Sequence, residues 1–483
     1  VLKTLLLNPP SFEGFDGGAG ARYQARREVR SFWYPTWLAQ PAALIPGSTL
    51  IDAPPDGLTV ADVVARAAGF DLCVLYTSTP SLGSDARVAE ALKAAHPHLR
   101  IGFVGAHAAV MPAETLMASS VVEFAARHEF DYTLREVAEG RDYAAIDGIS
   151  YRADGRIVHN RDRALIRDMD ALPFVVDVYK RDLRPENYFI GYLQHPYLSL
   201  YTGRGCPAKC TFCLWPQTIG GHQYRARSPE SVSQELARAK ALFPQVKEFF
   251  FDDDTFTADL PRAEAIARRL KALGITWSCN ARPNVPRKTL EVLKDCGLRL
   301  LLVGYESGNQ AILNNIKKGT RLDVARRFTR DCKDLGIVVH GTFILGLPGE
   351  TRETIQESIR FACEIEPDTL QVSLAAAYPG TELYAQATAN GWFTADSLVN
   401  ADGVQVAALE YPGLSRGEIF ESVEAFYRRF YFRPRKIFAI LGTMARDTAV
   451  CRRRLREGWE FLRFMARRKQ EAGAAKPTPQ AAA

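Results

Sequence analysis

A chain of 483 residues has room for two or three domains and ample core. Hydrophobic residues at 47% and charged residues at 24% exclude a disordered or fibrous chain. The net charge of +6 is small for this length, and much of the excess sits near the C-terminus, so the chain as a whole does not read as a nucleic-acid binder.

The N-terminal part, residues 1–165, alternates strands and helices. Residues 3–7 read as a first strand, stopped by Pro9-Pro10. The run Leu5-Leu6-Leu7 is too short for a signal-peptide core or a membrane span. Residues 72–76 and 101–104 are short apolar runs followed by Thr, Ser or Gly, which suits buried parallel strands. Residues 85–96 between them have helical periodicity. An α/β, doubly wound, Rossmann-like unit is predicted. Asp154-Gly155, between two β-prone runs, predicts a hairpin. His107 follows a strand, where a histidine either faces a ligand or caps its loop.

Residues 11–46 interrupt this unit after its first strand. Gly17, Gly18 and Gly20 allow close backbone approach. Arg22, Arg26, Arg27 and Arg30 alternate with Tyr23, Phe32, Trp33, Tyr34 and Trp37. Guanidinium forks and aromatic faces suit a sugar, a phosphate or an apolar ligand. Aromatics of this kind equally pack back on their own domain.

Residues 195–400 repeat a strand–loop–helix unit, which predicts a partial (β/α)6 barrel with polar loops after its strands. The first strand runs into Gly203-Arg204-Gly205-Cys206-Pro207-Ala208-Lys209-Cys210-Thr211-Phe212-Cys213. Three thiolates can hold three irons of a four-iron cluster and leave the fourth open, whereas clusters with a full set of four cysteine ligands usually only transfer electrons. Structural zinc wants two close pairs of ligands. Cys73, Cys279, Cys296, Cys332, Cys363 and Cys451 are scattered singly, and nine cysteines in this length make no disulfide framework. Further polar loops follow later strands: Asp252-Asp253-Asp254, then Gly304-Tyr305-Glu306-Ser307-Gly308, then Gly346-Leu347-Pro348-Gly349-Glu350.

Residues 410–470 are helical and basic. A helix is predicted over 415–432. Arg433, Arg435, Lys436, Arg446, Arg452, Arg453, Arg454, Arg456, Arg463, Arg467, Arg468 and Lys469 follow, interleaved with Phe438, Trp459 and Phe461. Such helices lie on anionic lipid or present a solvated face. Residues 471–483, rich in Ala and Pro, read as a disordered tail.

The spacing C-x3-C-x-(aromatic)-C, with Phe212 as the aromatic, resembles the radical S-adenosylmethionine (SAM) superfamily. The resemblance implies a 4Fe–4S cluster on Cys206, Cys210 and Cys213. It places Phe212, Asp252, Asp254, Glu306, Ser307, Gly346 and Gly349 around SAM. One of residues 252–254 would accept from the SAM amino group, and strand register leaves open which. Asn8-Pro9-Pro10, Gly105-Ala106-His107 and the hairpin resemble the cobalamin-binding-type domain that precedes many radical SAM barrels. Cobalamin is therefore a further candidate cofactor, although the pattern D-x-H-x-x-G is absent. The stretch 11–46 resembles hopanoid-biosynthesis-associated radical SAM proteins. That implies an amphiphilic hopanoid substrate whose sugar head group is rearranged to a cyclitol. It also implies an electron donor such as flavodoxin or ferredoxin. The expected place is cytoplasmic, with peripheral contact to anionic inner membrane and no nucleic acid partner. Two other readings stand beside it. An RNA-modifying methylthiotransferase would carry extra N-terminal cysteines, and here only Cys73 precedes the main loop. A non-catalytic corrinoid-binding or membrane adaptor protein would not need the intact Cys206, Cys210, Cys213 and Glu306.

Overall fold

The computed structural model describes residues 1–12, 31–395, 397–400 and 405–446, together with 451, 455, 456, 458 and 459. The expectations for Gly17 to Arg30, for Arg452 to Arg454 and for residues 460–483 lie outside the described residues.

Seven strands form the N-terminal sheet: β1 (Thr4–Asn8), β2 (Thr49–Asp52), β3 (Leu72–Tyr76), β4 (Arg100–Val104), β5 (Phe124–Ala126), β6 (Ile149–Ala153) and β7 (Arg156–His159). Their order is β2-β1-β3-β4-β5-β6-β7. β1 to β5 run parallel, and β6 and β7 return as an antiparallel hairpin. Every residue of β1 and β3 is buried, because helices cover both faces, and this is why these strands are unbroken apolar runs. The order 2-1-3-4-5 is the flavodoxin-type winding, whose switch point lies between β1 and β3. Asp154 (φ 49°) and Gly155 (φ 74°) both take the left-handed conformation that a two-residue hairpin turn requires.

The second sheet holds β8 (Tyr197–Leu200), β9 (Glu248–Phe251), β10 (Trp277–Ala281), β11 (Leu298–Glu306), β12 (Val338–Leu345) and β13 (Thr369–Leu374). These six strands are all parallel and pair in chain order, a partial (β/α) barrel. Helices Pro229–Leu242, Leu260–Leu273, Arg287–Asp295, Leu322–Asp334 and Arg352–Ile365 lie between the strands. Side-chain caps set several starts: Ser228, Asp259 and Thr351 each accept a backbone N–H of the first turn. Gly274, in the left-handed region, ends the second of these helices.

The edge strand β13 is closed by helix Arg416–Tyr431. The Val372 and Leu370 amides donate to the Tyr427 and Tyr431 hydroxyls at 3.0 and 2.9 Å, which blunts an otherwise open edge. The next helix, Pro434–Arg446, departs from the expectation of a free basic face. Arg433 donates to the Cys363 carbonyl at 2.9 Å and Lys436 to that of Pro367 at 2.7 Å. Arg433 thereby caps the C-terminal end of helix Arg352–Ile365, where exposed carbonyls favour a cation, and Lys436 holds the chain two residues beyond it. Outside, this helix shows Ile437, Phe438 and Leu441 beside the exposed Arg435, and Phe432 just before it is exposed as well. No helix among the described residues is long and apolar enough to cross a membrane.

The two sheets are joined by buried charge. Gly203–Arg204 pairs antiparallel with Arg225–Ala226 to make a short ribbon around the cysteine loop. Arg204 donates to both oxygens of Asp131 at 2.7 and 3.1 Å, and Arg225 to both of Glu129 at 2.7 and 2.9 Å. All four side chains are at most 5% exposed. The Arg204 guanidinium also lies 4.6 Å over the Trp37 ring. Three aromatics of the insertion, Phe32, Tyr34 and Trp37, belong to this seam. Tyr34 stacks on Tyr188 at 3.9 Å and donates to the Tyr197 carbonyl at 2.8 Å, and the Tyr197 hydroxyl donates to the Phe32 carbonyl at 2.7 Å. Phe32, Tyr34 and Trp37 are buried, so they serve packing and not a ligand platform.

Asp131→Asn strips Arg204 of its bidentate partner and leaves a buried guanidinium short of charge. The expected loss is about 3–5 kcal/mol of stability, read as a lowered urea midpoint. An unchanged midpoint would show that the seam does not depend on this pair.

Candidate active site

The cysteine loop is held largely by its backbone. Gly205 has φ 86°, and a Cβ there would stand 2.3 Å from the Gln223 carbonyl oxygen, so glycine is required at this crossing. Gln217 gathers the loop, its Nε2 donating to the carbonyls of Cys210 (3.2 Å), Thr211 (3.2 Å) and Cys213 (2.8 Å). Its Oε1 accepts from the Glu382 amide at 2.9 Å. The Thr211 amide donates to the Ile316 carbonyl at 3.0 Å, and the Thr211 carbonyl accepts from the Leu383 amide at 2.9 Å. Cys206 and Cys210 are buried and Cys213 is half-buried. Thr255 Oγ1 lies 3.5 Å from Cys206 Sγ. Phe212 packs half-buried against the core. No three His, Cys, Asp or Glu side chains among the described residues converge on a single ion. A four-iron cluster takes one thiolate per iron and so spreads its ligands. An all-thiol donor set on one secured loop fits such a cluster.

The three aspartates lie just past β9, and their surroundings differ. Asp253 is fully buried and turns away from the loop's thiols, accepting from Thr202 N (2.6 Å), Thr202 Oγ1 (2.7 Å) and Tyr224 OH (2.8 Å). Burial raises its carboxyl above the usual range, against the lowering effect of Arg262 and these donors. It clamps β9 to the start of the cysteine loop. Asp252 instead accepts from Asn280 Nδ2 at 3.0 Å, at the end of the neighbouring β10. Asp254 points to the crossing of the loop, its Oδ2 lying 3.7 Å from the place of a Cβ on Gly220.

Glu306 ends β11 in the left-handed region at φ 64°, where the pairing with β12 shifts by a residue. The bend carries its carboxylate to Lys318 Nζ, 2.7 Å away, with both side chains buried. Burial pulls the Lys318 ammonium down, but Glu306 and Cys210 lift it above the ordinary lysine value. Ser307 does not join this group: its hydroxyl lies 3.1 Å from Ser358 Oγ and accepts from Asn309 N, inside the fold. Gly346 (φ 85°) and Gly349 (φ 84°) shape the turn after β12. Gly346 N donates to Glu350 Oε2 at 2.7 Å, and Tyr411 OH donates to the Gly346 carbonyl at 2.7 Å. Glu350 Oε1 is buried without a hydrogen bond. Lys318, Gln217, Thr255 and Asn280 were not legible as site residues. A lysine in a Lys-Lys-Gly turn reads as solvated surface until its partner is known.

On the N-terminal domain, His107 is buried, where the sequence reading left a ligand-facing position open. Its Nδ1 lies 3.1 Å from Thr79 Oγ1, and its Nε2 makes no hydrogen bond and lies 3.8 Å from Glu114. Burial lowers its ring below the ordinary value, against the raising effect of Glu114. The helix that carries it, Ala106–Val110, packs on the π-helix Pro216–Gly220 just beyond the cysteines.

Burial raises Glu350 from the ordinary 4.5 to about 8. A carboxyl with a raised folded value supports the fold below its unfolded value, and the support is lost as pH rises through the folded one. Melting temperature should therefore fall as pH rises from about 5 to about 8, and Glu350→Gln should flatten that part of the profile. The same slope in the variant would assign it to other groups.

Residues 200–362 match the Radical SAM superfamily. An uncharacterised methyltransferase of Pyrococcus horikoshii is 28% identical over 453 residues, 90% of this chain and 94% of that protein. The hopanoid C-3 methylase of Methylococcus capsulatus is 31% identical over 202 residues, 40% of this chain and 37% of that one. Among solved structures, the cobalamin-dependent SAM radical enzyme OxsB, with aqua-cobalamin and SAM bound, superposes with a TM-score of 0.67. That match covers 95% of this chain and 72% of the other at 15% identity, a likeness of fold. With its cysteine loop at the head of the matched barrel, the chain carries a radical SAM domain and is a radical SAM enzyme that uses SAM and a 4Fe–4S cluster.

Proposed function

We propose that this enzyme acts in hopanoid lipid biosynthesis and starts the rearrangement of a hopanoid sugar head group to a cyclitol. The observation that carries the reading is the stretch 11–46, which resembles hopanoid-biosynthesis radical SAM proteins. The 31% identity to a hopanoid methylase over part of the chain supports the substrate class. Bound cluster and SAM supply reductive cleavage of SAM to methionine and a 5′-deoxyadenosyl radical, which abstracts hydrogen from carbon. The chain's own residues position and enclose. Cys206, Cys210 and Cys213 are the metal ligands. Asp252 and Asp254 supply acceptors for an ammonium on the mouth side of β9. Gly346 and Gly349 open the turn after β12 to a flat ring. Cobalamin, where bound, would meet the carboxyl edge of the N-terminal sheet, where His107 has an unsatisfied nitrogen. Phe432, Ile437, Phe438 and Leu441 form the apolar surface by which the enzyme reaches a lipid held in a membrane.

Methylation of a hopanoid is the second reading, favoured by the two methyltransferase-type relatives. Mass separates the two, since a rearrangement conserves it and methylation adds one CH2.

Single replacement of Cys206, Cys210 or Cys213 by Ala should abolish the visible absorption of the reconstituted cluster and the release of 5′-deoxyadenosine. Cys332→Ala, in a buried helix position, should keep both. Full SAM cleavage by any of the three loop variants would remove the cluster assignment.

Incubated anaerobically with a glucosaminyl hopanoid and reductant, the enzyme should give a product of unchanged mass with a new ring. With the substrate in anionic vesicles, Phe438→Asp should slow the reaction, and in detergent it should not. A product heavier by CH2 would establish the methyltransferase reading; equal rates for Phe438→Asp in both media would discard the membrane role.

A further inference from the structure

The barrel sheet has a helix side and a lumen side, and ring contacts tell them apart. Phe343 of β12 stacks on Tyr305 of β11 and meets Phe361 and Phe426, on helices Arg352–Ile365 and Arg416–Tyr431. Its neighbours Thr342 and Ile344 therefore face the lumen, since side chains alternate along a strand. Register carries that side across the sheet. Thr342 pairs with Gly304 of β11 and with Gln371 of β13, Ile344 with Ser373, and His340 with Leu302. Leu302, Thr342 and Gln371 are half-buried, whereas Val303, Phe343 and Val372 on the helix side are at most 3% exposed. The lumen thus has an accessible wall at this level.

At the amino-terminal end of the lumen the polar groups are paired. Arg299 donates to both oxygens of Glu248 at 2.9 Å. His340 Nδ1 lies 2.7 Å from Thr369 Oγ1, and the Tyr192 ring stacks on the imidazole at 4.1 Å. At the mouth, Glu306 meets Lys318. The wall between these ends is different. Its side chains on β11 to β13 are Leu302, Thr342, Ile344, Gln371 and Ser373, and none is charged. The Gln371 carboxamide and the Ser373 hydroxyl find no hydrogen-bond partner among the described residues. Thr342 Oγ1 reaches only the Val303 carbonyl, at 3.5 Å.

Interior polar groups are ordinarily satisfied, and a carboxamide offers both donors and an acceptor. Polar side chains set in line with so little of the protein to bind, beside Leu302 and Ile344, suit an uncharged ligand with hydroxyls along one edge. A phosphate or carboxylate would need a cation at this wall.

We propose that Gln371, Thr342 and Ser373 hold the hydroxyl groups of the substrate's head group, while Leu302 and Ile344 lie against its C–H surface. The proposal deepens the reading of the substrate as a sugar-bearing hopanoid and rests on it. A site built to bond hydroxyls discriminates against an analogue that lacks them, because its own polar groups are then left unpaired.

The test is equilibrium binding to reconstituted protein with SAM and without reductant, by titration calorimetry in detergent. The probes are a glucosaminyl hopanoid and the same triterpene without a head group. The variants are Gln371→Leu and Thr342→Val, the second keeping its shape should the first fold poorly. Each variant should bind the glucosaminyl hopanoid about fivefold more weakly, the size of one lost neutral hydrogen bond. Each should bind the bare triterpene, and SAM, as wild type does. Wild-type affinity of the folded variants for the glucosaminyl hopanoid would overturn the proposal alone, as would equal losses for the two probes. Wild-type protein that binds neither probe above a detergent blank would overturn the hopanoid reading and this proposal with it.

Discussion

Arg204 and Arg225 flank the cysteine loop, and carboxylates from the other half of the molecule neutralise both. Asp131 and Glu129 stand just after β5, the last parallel strand of the N-terminal sheet. In a low-dielectric seam neither pair can open without stranding a charge, so the N-terminal domain and the cysteine loop are bound to one relative placement. The fork geometry adds direction, because a bidentate guanidinium–carboxylate contact fixes angle as well as distance. Trp37 and Tyr34 fill the rest of the seam with ring contacts. The N-terminal domain is in this sense a wall of the site as well as a neighbour of it.

Around that fixed loop, the barrel supplies its groups by different strand ends, as this architecture does generally. Asp253 ties β9 to the loop, Gln217 ties the loop to the start of helix Glu382–Asn390, and Ile316 ties it to the turn bearing Lys318. Each tie leaves the cysteine side chains alone. Thiols that each hold one iron need a loop that does not have to rearrange to accept them.

A similar constraint acts at the far end of the chain. Two of the basic residues expected on a free face turn inward: Arg433 caps helix Arg352–Ile365 and Lys436 binds the Pro367 carbonyl just past it. Helix Pro434–Arg446 thus exposes Ile437, Phe438 and Leu441 beside Arg435.

The elements and the cysteine loop were legible in the sequence for a local reason. A buried parallel strand is a short apolar run, a hairpin of this kind carries Asp-Gly, and the three thiols crowd into one short loop. The strand over 72–76 and the hairpin at Asp154-Gly155 emerge as read, and the order of the loops along the chain follows directly. Tertiary structure alone decided what depends on groups far apart in sequence. Donors from Thr202 and Tyr224 drew Asp253 into the fold. Ser307 turned inward because Ser358, in a distant helix, offered a partner. Trp37 became a seat for Arg204, and Lys318 became a buried cation because Gly304 left room and Glu306 bent toward it. Periodicity and spacing record how a segment meets water, whereas a charge pair is set by two side chains whose meeting exists only after the chain has closed on itself.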